Sequence, residues 1–393
     1  MGGILYLVHR LPYPPNKGDK IRSFHLLKHL ARKGPVYLGT FIDDPADRIH
    51  GKALGAWCKE LFIAEITPLK ARLASLRGLL NGEALTLPYY RQAGLGAWAR
   101  RLVEQGLVDR VVAFSSAMAQ FVPAGLPLKL MDMVDVDSDK WAQYAPTKPW
   151  PLSWLYRREA LKLAEWENQA ARSFNATFLV SQAEASLLKT HAPDVQDRIH
   201  WFENGVDATY FSPEHELPNP YPGGVTPIVF TGAMDYWPNV DAVRWFAEAV
   251  FPQVKAAVPD AVFYIVGSNP TQTVQHLSRI LGVSVTGGVP DVRPYLRHAA
   301  CAVAPLRLAR GVQNKVLEAM SMARPVVASP QATEGISAQP ERDLLEAADA
   351  QCFAAQVIQV CKGLYPELGN HGRARVLQAY DWERNLSRLD VWL

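Results

Sequence analysis

The sequence predicts an α/β protein built from two doubly wound halves, each with its own parallel sheet. Three observations carry this expectation. Short apolar runs alternate with helical patterns along most of the chain, as parallel strands and their crossover helices require. A proline- and glycine-rich stretch, SPEHELPNPYPGGVTP at 212–227, breaks the alternation and reads as a linker. The length of 393 residues suits about two or three domains.

In the first half, Ile4–Val8 reads as a short buried strand and Leu11–Pro15 as a proline-rich turn. Asp19 can cap a helix to about Lys33, with Ile21, Phe24, Leu27 and Leu30 on one face. Val36–Phe41, Leu61–Ile66, Val111–Phe114 and Leu128–Met131 are the next expected strands, with helical segments between them. Ser153–Phe174 is a long helix, followed by strands at Thr177–Val180 and Ile199–Phe202. Beyond the linker, strands are expected at Ile228–Thr231, Val262–Val266, Val283–Thr286, Cys301–Pro305 and Val326–Ala328. Helices are expected from Asn239, Thr271, Val292 and Asn314, and helical patterns fill the tail. Two such halves place a cleft between them, and ligands of these sheets bind beyond the carboxyl ends of the strands.

Composition narrows the function classes. The chain is 49% apolar and 20% charged, which excludes a disordered chain. Its net charge of +3 gives no general reason to expect a nucleic-acid partner. The charge is uneven: residues 1–210 carry 26 basic and 21 acidic residues, the remainder 15 and 17. Cys58, Cys301, Cys352 and Cys361 match no zinc spacing and make no disulfide scaffold, so a reducing cytoplasm is the expected setting. No apolar run reaches the ~18 residues of a membrane span. MGGILYLVHR reads as a first strand rather than a signal peptide, and Tyr6 breaks the myristoylation pattern.

The richest segment is GVQNKVLEAMSMARPVVAS, Gly311–Ser329. Gly311 lets backbone approach a ligand, and Asn314 is a plausible N-cap. The amides of Val312–Lys315 would then face outward at a helix N terminus, a natural phosphate site. Lys315 adds a point charge. Glu318, three residues on, shares its face and can accept both hydroxyls of a ribose. An ordinary surface helix with a Lys–Glu pair is the competing reading.

This segment resembles the nucleotide-sugar motif of glycosyltransferase family 4. Other segments agree in order: HRLPYPPNKGDKIRSFHLLKHL, WFENGVDATYFSP, VFTGAMDYWPNVDAVRWF and GGVPDVRPYLRHAACAVAPL. MDMVDVDSDKWAQYA and RGVQNKVLEAM are similar to the sugar transferases associated with PEP-CTERM/exosortase systems, linked to exopolysaccharide production. The resemblance covers nearly the whole chain. It implies the GT-B fold, with an acceptor domain at 1–211, a linker at 212–227, a donor domain at 228–375 and a C-terminal helix at 376–393 returning to the first domain. It implies a retaining hexosyl transfer from a nucleotide-diphosphate sugar to a glycan or lipid-linked saccharide. No metal or other cofactor is expected.

The resemblance also assigns residues. Gly232, Val289, Gln313, Asn314, Lys315 and Glu318 would surround the nucleotide, and Lys17 and Gly18 would approach the diphosphate. The family motif has Glu seven residues before the position after which Glu318 follows; here Arg310 stands where the first Glu is expected, and either binds a diphosphate oxygen or faces solvent. A histidine that many relatives carry after the Leu128–Met131 strand is missing. Asp135 or Asp132 can occupy its place, orienting the acceptor hydroxyl or acting as base, with Asp137 and Asp139 nearby. A capping and salt-bridge cluster is the alternative, and an EF-hand fails because Lys140 and Pro146 stand at its positions six and twelve. His25 and His29 lack a third metal ligand. PWPLSWLYRR at 149–158 and PLKARLASLRGLL at 68–80 are expected either to meet an anionic membrane at its inner face or to pack with snorkelling arginines. Two other functions share this architecture: a nucleotide-sugar epimerase, and a non-catalytic sugar-nucleotide-binding scaffold.

Overall fold

Strand β1 (Gly3–Val8) is buried along its whole length, because it runs through the middle of a sheet covered on both faces. The computed structural model describes residues 2–15, 18–309 and 311–393. These divide into two units, one of residues up to Glu203 together with Leu386–Leu393, the other Asn204–Asn385.

The first unit adds β2 (Val36–Ile42), β3 (Glu60–Glu65), β4 (Val108–Phe114), β5 (Leu128–Val134), β6 (Ala176–Leu179) and β7 (Ile199–Trp201). All pairings are parallel, in the order β3-β2-β1-β4-β5-β6-β7. The order reverses direction at β1, so the loops after β1 and β4 open at a topological switch point. Leu5, Leu7, Val111, Ala113 and Met131 pack with Leu95, Trp98 and Leu102 of the Ala93–Glu104 helix in its core. Asp390 anchors the final segment to the first helix through His29 at 2.8 Å and Lys33 at 2.8 Å. His29 is therefore committed to a hydrogen bond with Asp390. The tail is not one long helix: it is a short helix at Trp382–Leu386 followed by a 3-10 turn at Ser387–Leu389.

The second unit holds β8 (Thr226–Thr231), β9 (Ala261–Val266), β10 (Val283–Gly287), β11 (Cys301–Ala304), β12 (Val326–Ala328) and β13 (Leu345–Glu346). They pair in parallel in the order β10-β9-β8-β11-β12-β13. Phe230, Phe246, Phe251, Phe263 and Phe353 fill the core between sheet and helices. The two-residue β13 has no sequence periodicity and was not expected. The helix expected from Asn239 begins at Trp237, since Pro238 fits the first turn.

Candidate donor and acceptor sites

In the second unit, three elements marked by the sequence follow the carboxyl ends of strands. Gly232 follows β8, Val289 follows β10, and the Asn314–Ser321 helix follows β11. Gly311 has a φ of +65°, a conformation that favours glycine, and turns the loop toward this helix. The helix cap is Gln313 in an extended conformation, not Asn314 as the sequence suggests. The Gln313 side chain donates to the Gly311 carbonyl at 3.2 Å, and no side chain caps the helix. Its first-turn amides therefore lack intrahelical acceptors and present partial positive charge. Asn314 is the first helical residue, and its Oδ1 is buried without a hydrogen-bond partner among the described residues.

Lys315 and Glu318 are partly exposed yet closely surrounded by protein. Lys315 Nζ donates to Asn239 Oδ1 at 2.5 Å and lies 4.4 Å from the centre of the Phe230 ring. Asn239 in turn donates to the Ala233 carbonyl at 2.9 Å, which fixes its amide orientation. Burial pulls the Lys315 amine down to about 7, against the opposing pull of Glu318. Burial likewise pushes the Glu318 carboxyl up to about 7, against Lys315. An ammonium and a carboxylate held near neutrality are ready to take on a full anion and two hydroxyl donors, respectively. Gly232 is required beside them: its φ is +155°, and a Cβ there would lie 2.8 Å from Asn239 Nδ2 and 3.4 Å from Lys315 Nζ. Arg310 lies outside the described residues.

In the first unit, Gly18 is the exposed first residue of the Gly18–Lys33 helix, while Asn16 and Lys17 lie outside the described residues. Asp19 is inside the helix rather than capping it, and its carboxylate turns back to Arg10 at 2.6 Å. Burial pushes Asp19 up, but His9 and Arg10 outweigh it and hold the carboxyl well below the usual carboxylate range.

The acidic cluster after β5 separates into two kinds of residue. Asp132 is fully buried, and both its oxygens are gripped by Arg22 at 2.8 and 3.0 Å. Burial pushes its carboxyl up and Arg22 opposes this. Arg22 also stacks 3.7 Å from the Phe202 ring centre and donates to the Phe202 carbonyl. Asp135 and Asp137 are only partly buried and share Lys140, at 2.6 and 3.2 Å. At the end of β5, Val134 has a φ of +72°, which is unusual for a β-branched residue. Two carboxylates hold this loop. Glu184 accepts from the Val136 amide at 2.8 Å, and Glu167 accepts from the Ser138 amide at 3.2 Å and hydroxyl at 2.5 Å. Among the described residues, no three His, Cys, Asp or Glu side chains gather in a metal-binding group.

Sequence reasoning missed Asn239, Phe230, Glu167 and Glu184. Asn239 follows the strand end in YWPN, but nothing in the sequence links it to Lys315. Burial pushes Glu167 up to about 8. Its folded value exceeds the ordinary one near 4.5, so the wild-type fold loses stability as pH rises from about 4.5 to about 8. Glu167→Gln cannot titrate and should remove that slope, with a wild-type deficit on the order of a few kcal/mol at pH 8. Denaturant unfolding of both proteins at pH 5 and pH 8 checks this, and equal slopes would show that Glu167 does not titrate in that window.

The family described as "Glycosyl transferases group 1" matches residues 226–362. No curated protein matches the chain by sequence. Among solved structures, sucrose-phosphate synthase from Thermosynechococcus elongatus superposes with a TM-score of 0.71 at 18% identity, covering 100% of this chain and 98% of the other. WaaG, a glycosyltransferase involved in lipopolysaccharide biosynthesis, gives 0.68 at 14% identity, covering 99% of each chain. HepE of Anabaena in complex with UDP-glucose gives 0.65 at 14% identity, covering 100% of this chain and 99% of the other. At such identities the likeness establishes the fold, which is GT-B. Within that fold, residues 226–362 match the group 1 glycosyl transferase model, which covers the second sheet and the helices around it.

Proposed function

We propose that the chain moves a hexosyl unit, with retention, from a nucleoside-diphosphate sugar to a glycan or lipid-linked saccharide during exopolysaccharide assembly. The observation that carries the donor reading is Lys315 at an uncapped helix N terminus, with Glu318 one turn further in. The first-turn amides and Lys315 would bind the diphosphate, and Glu318 would accept the ribose hydroxyls. The buried Asn314 Oδ1, without a hydrogen-bond partner among the described residues, offers a further acceptor near that site. As the glycosidic bond breaks, negative charge grows on the leaving diphosphate, and fixed amides with Lys315 stabilise it without reorganising. Arg310 would add to this charge, and Gly232 and Val289 would flank the nucleotide.

The first unit would supply the acceptor chemistry. Asp135 is the favoured group to orient the acceptor hydroxyl or take its proton, with Asp137 beside it. Asp132 would act through the placement of β5, since Arg22 occupies both its oxygens. Lys17 and Gly18 belong to this unit's share of diphosphate binding. No resident metal or cofactor is required by this scheme, because the cations and amides above serve the leaving group. The complex of HepE with UDP-glucose supports a nucleotide-sugar donor here. A lipid-linked acceptor would bring the chain to the inner face of the cytoplasmic membrane.

A thermal-shift panel of UDP-, GDP- and ADP-sugars tests the donor reading. One of them at ~100 times its dissociation constant should stabilise the chain by roughly 2.7 kcal/mol. No shift with any nucleotide sugar would remove the donor assignment.

A further inference from the structure

The first unit exposes an apolar stripe that its own core leaves uncovered. The Pro68–Ser75 helix has no buried residue at all. Its Leu69 and Leu73 are 73% and 69% exposed, and Leu80 in the following Arg77–Asn81 helix is 88% exposed. Leu69, Leu73, Leu76 and Leu80 recur at helical spacing, a pattern that in a surface helix ordinarily turns inward. From Ile66 to Gly82 there is no Asp or Glu, whereas Lys70, Arg72 and Arg77 are exposed. Among the described residues, none of these three cations pairs with a carboxylate.

A second exposed element lies beside the first. Trp150 and Trp154 are 82% and 54% exposed at the start of the Leu152–Ser173 helix. Arg158 of that helix donates to the Gly78 carbonyl at 2.7 Å and to the Glu83 carbonyl at 3.1 Å, which ties the two elements together.

We propose that this surface docks on an anionic lipid bilayer. Leu69, Leu73 and Leu80 enter the boundary between headgroups and acyl chains, and Lys70, Arg72 and Arg77 meet the lipid phosphates. Trp150 and Trp154 suit the same boundary, where an indole buries its ring and keeps its N–H wet. The charge pattern selects lipid over a protein partner: exposed cations beside the leucines, with no acidic residue among them, match a uniformly anionic surface. Among the described residues no helix is long and apolar enough to cross a membrane, so the contact is peripheral. The inference takes its purpose from the lipid-linked acceptor proposed above, but the binding it describes needs neither donor nor acceptor.

The test is sedimentation of the full chain with lipid vesicles, without nucleotide sugar. At ~0.1 M salt the chain should bind vesicles containing about one-third phosphatidylglycerol far better than pure phosphatidylcholine, and ~0.5 M salt should weaken that binding. Replacing Lys70, Arg72 and Arg77 together by Gln should lower partitioning about 100-fold. Leu69→Ser, Leu73→Ser and Leu80→Ser together should abolish it while leaving thermal unfolding unchanged, since these side chains are exposed. Wild-type failure to bind anionic vesicles would overturn the proposal, as would variants that bind like wild type. So would a leucine variant whose only defect is lost self-association, because that would assign the stripe to a second copy of the chain. A failed transfer assay would leave the vesicle result standing, so the two readings fail separately.

Discussion

Lys315→Met is expected to give a chain that is more stable and nearly inactive. The loss of activity follows from the leaving group. Removing one preorganised charge donor from a developing anion lowers turnover about 10²–10³-fold. The gain in stability follows from burial, which pulls the Lys315 amine down to about 7. The ammonium is therefore disfavoured in the folded protein compared with the unfolded chain, where its value is near 10.5. At pH 7 and below, the wild type carries this cost; methionine, similar in length and uncharged, does not. Losing the bond to Asn239 offsets part of the benefit, leaving a net gain of about 1–3 kcal/mol. As pH rises from 7 toward 10.5, the wild type recovers stability and the gap closes. Denaturant unfolding at pH 7 and pH 9.5, alongside turnover, checks both halves. A destabilised variant with full turnover would place Lys315 in the scaffold rather than the site. The opposed changes are the trade-off expected where a site is held under electrostatic strain for function.

The second large effect concerns Arg22 and Asp132. Both side chains are almost completely buried and bonded through two contacts. Arg22→Met leaves the Asp132 carboxyl in the core without its cation, which should cost about 3–5 kcal/mol. The double substitution Arg22→Met with Asp132→Leu removes the orphaned carboxyl and should recover most of that loss. Urea unfolding of the two singles and the double measures the coupling. If the double is no better than Arg22→Met alone, the carboxylate is not what makes the single change costly. A recovered fold lacking activity would show that the pair also places β5 and its following loop for the reaction.

The fold was largely legible because its signals are local. Strands such as Ile4–Val8 and Val262–Val266 are continuous apolar runs, and the linker is marked by its prolines and glycines. β13 was not legible: two residues at the end of a sheet have no period to detect. At the site, Lys315 and Glu318 were readable because one helix turn sets them together. Asn239 was not, because its partnership with Lys315 joins residues 76 apart in the chain. The cap shifted from Asn314 to Gln313 because cap identity depends on backbone conformation, which residue type only biases. The acidic cluster looked uniform in sequence. Arg22, 110 residues before Asp132, separates a buried pair from the more accessible Asp135 and Asp137.

The most direct test of the account is the release of nucleoside diphosphate from the donor that stabilises the chain, measured with and without a saccharide acceptor. The account predicts release that depends on acceptor, yields an elongated saccharide, and falls about 10²–10³-fold in Lys315→Met. Conversion of the donor to an epimer without acceptor, or donor binding with no release on any acceptor, would contradict it.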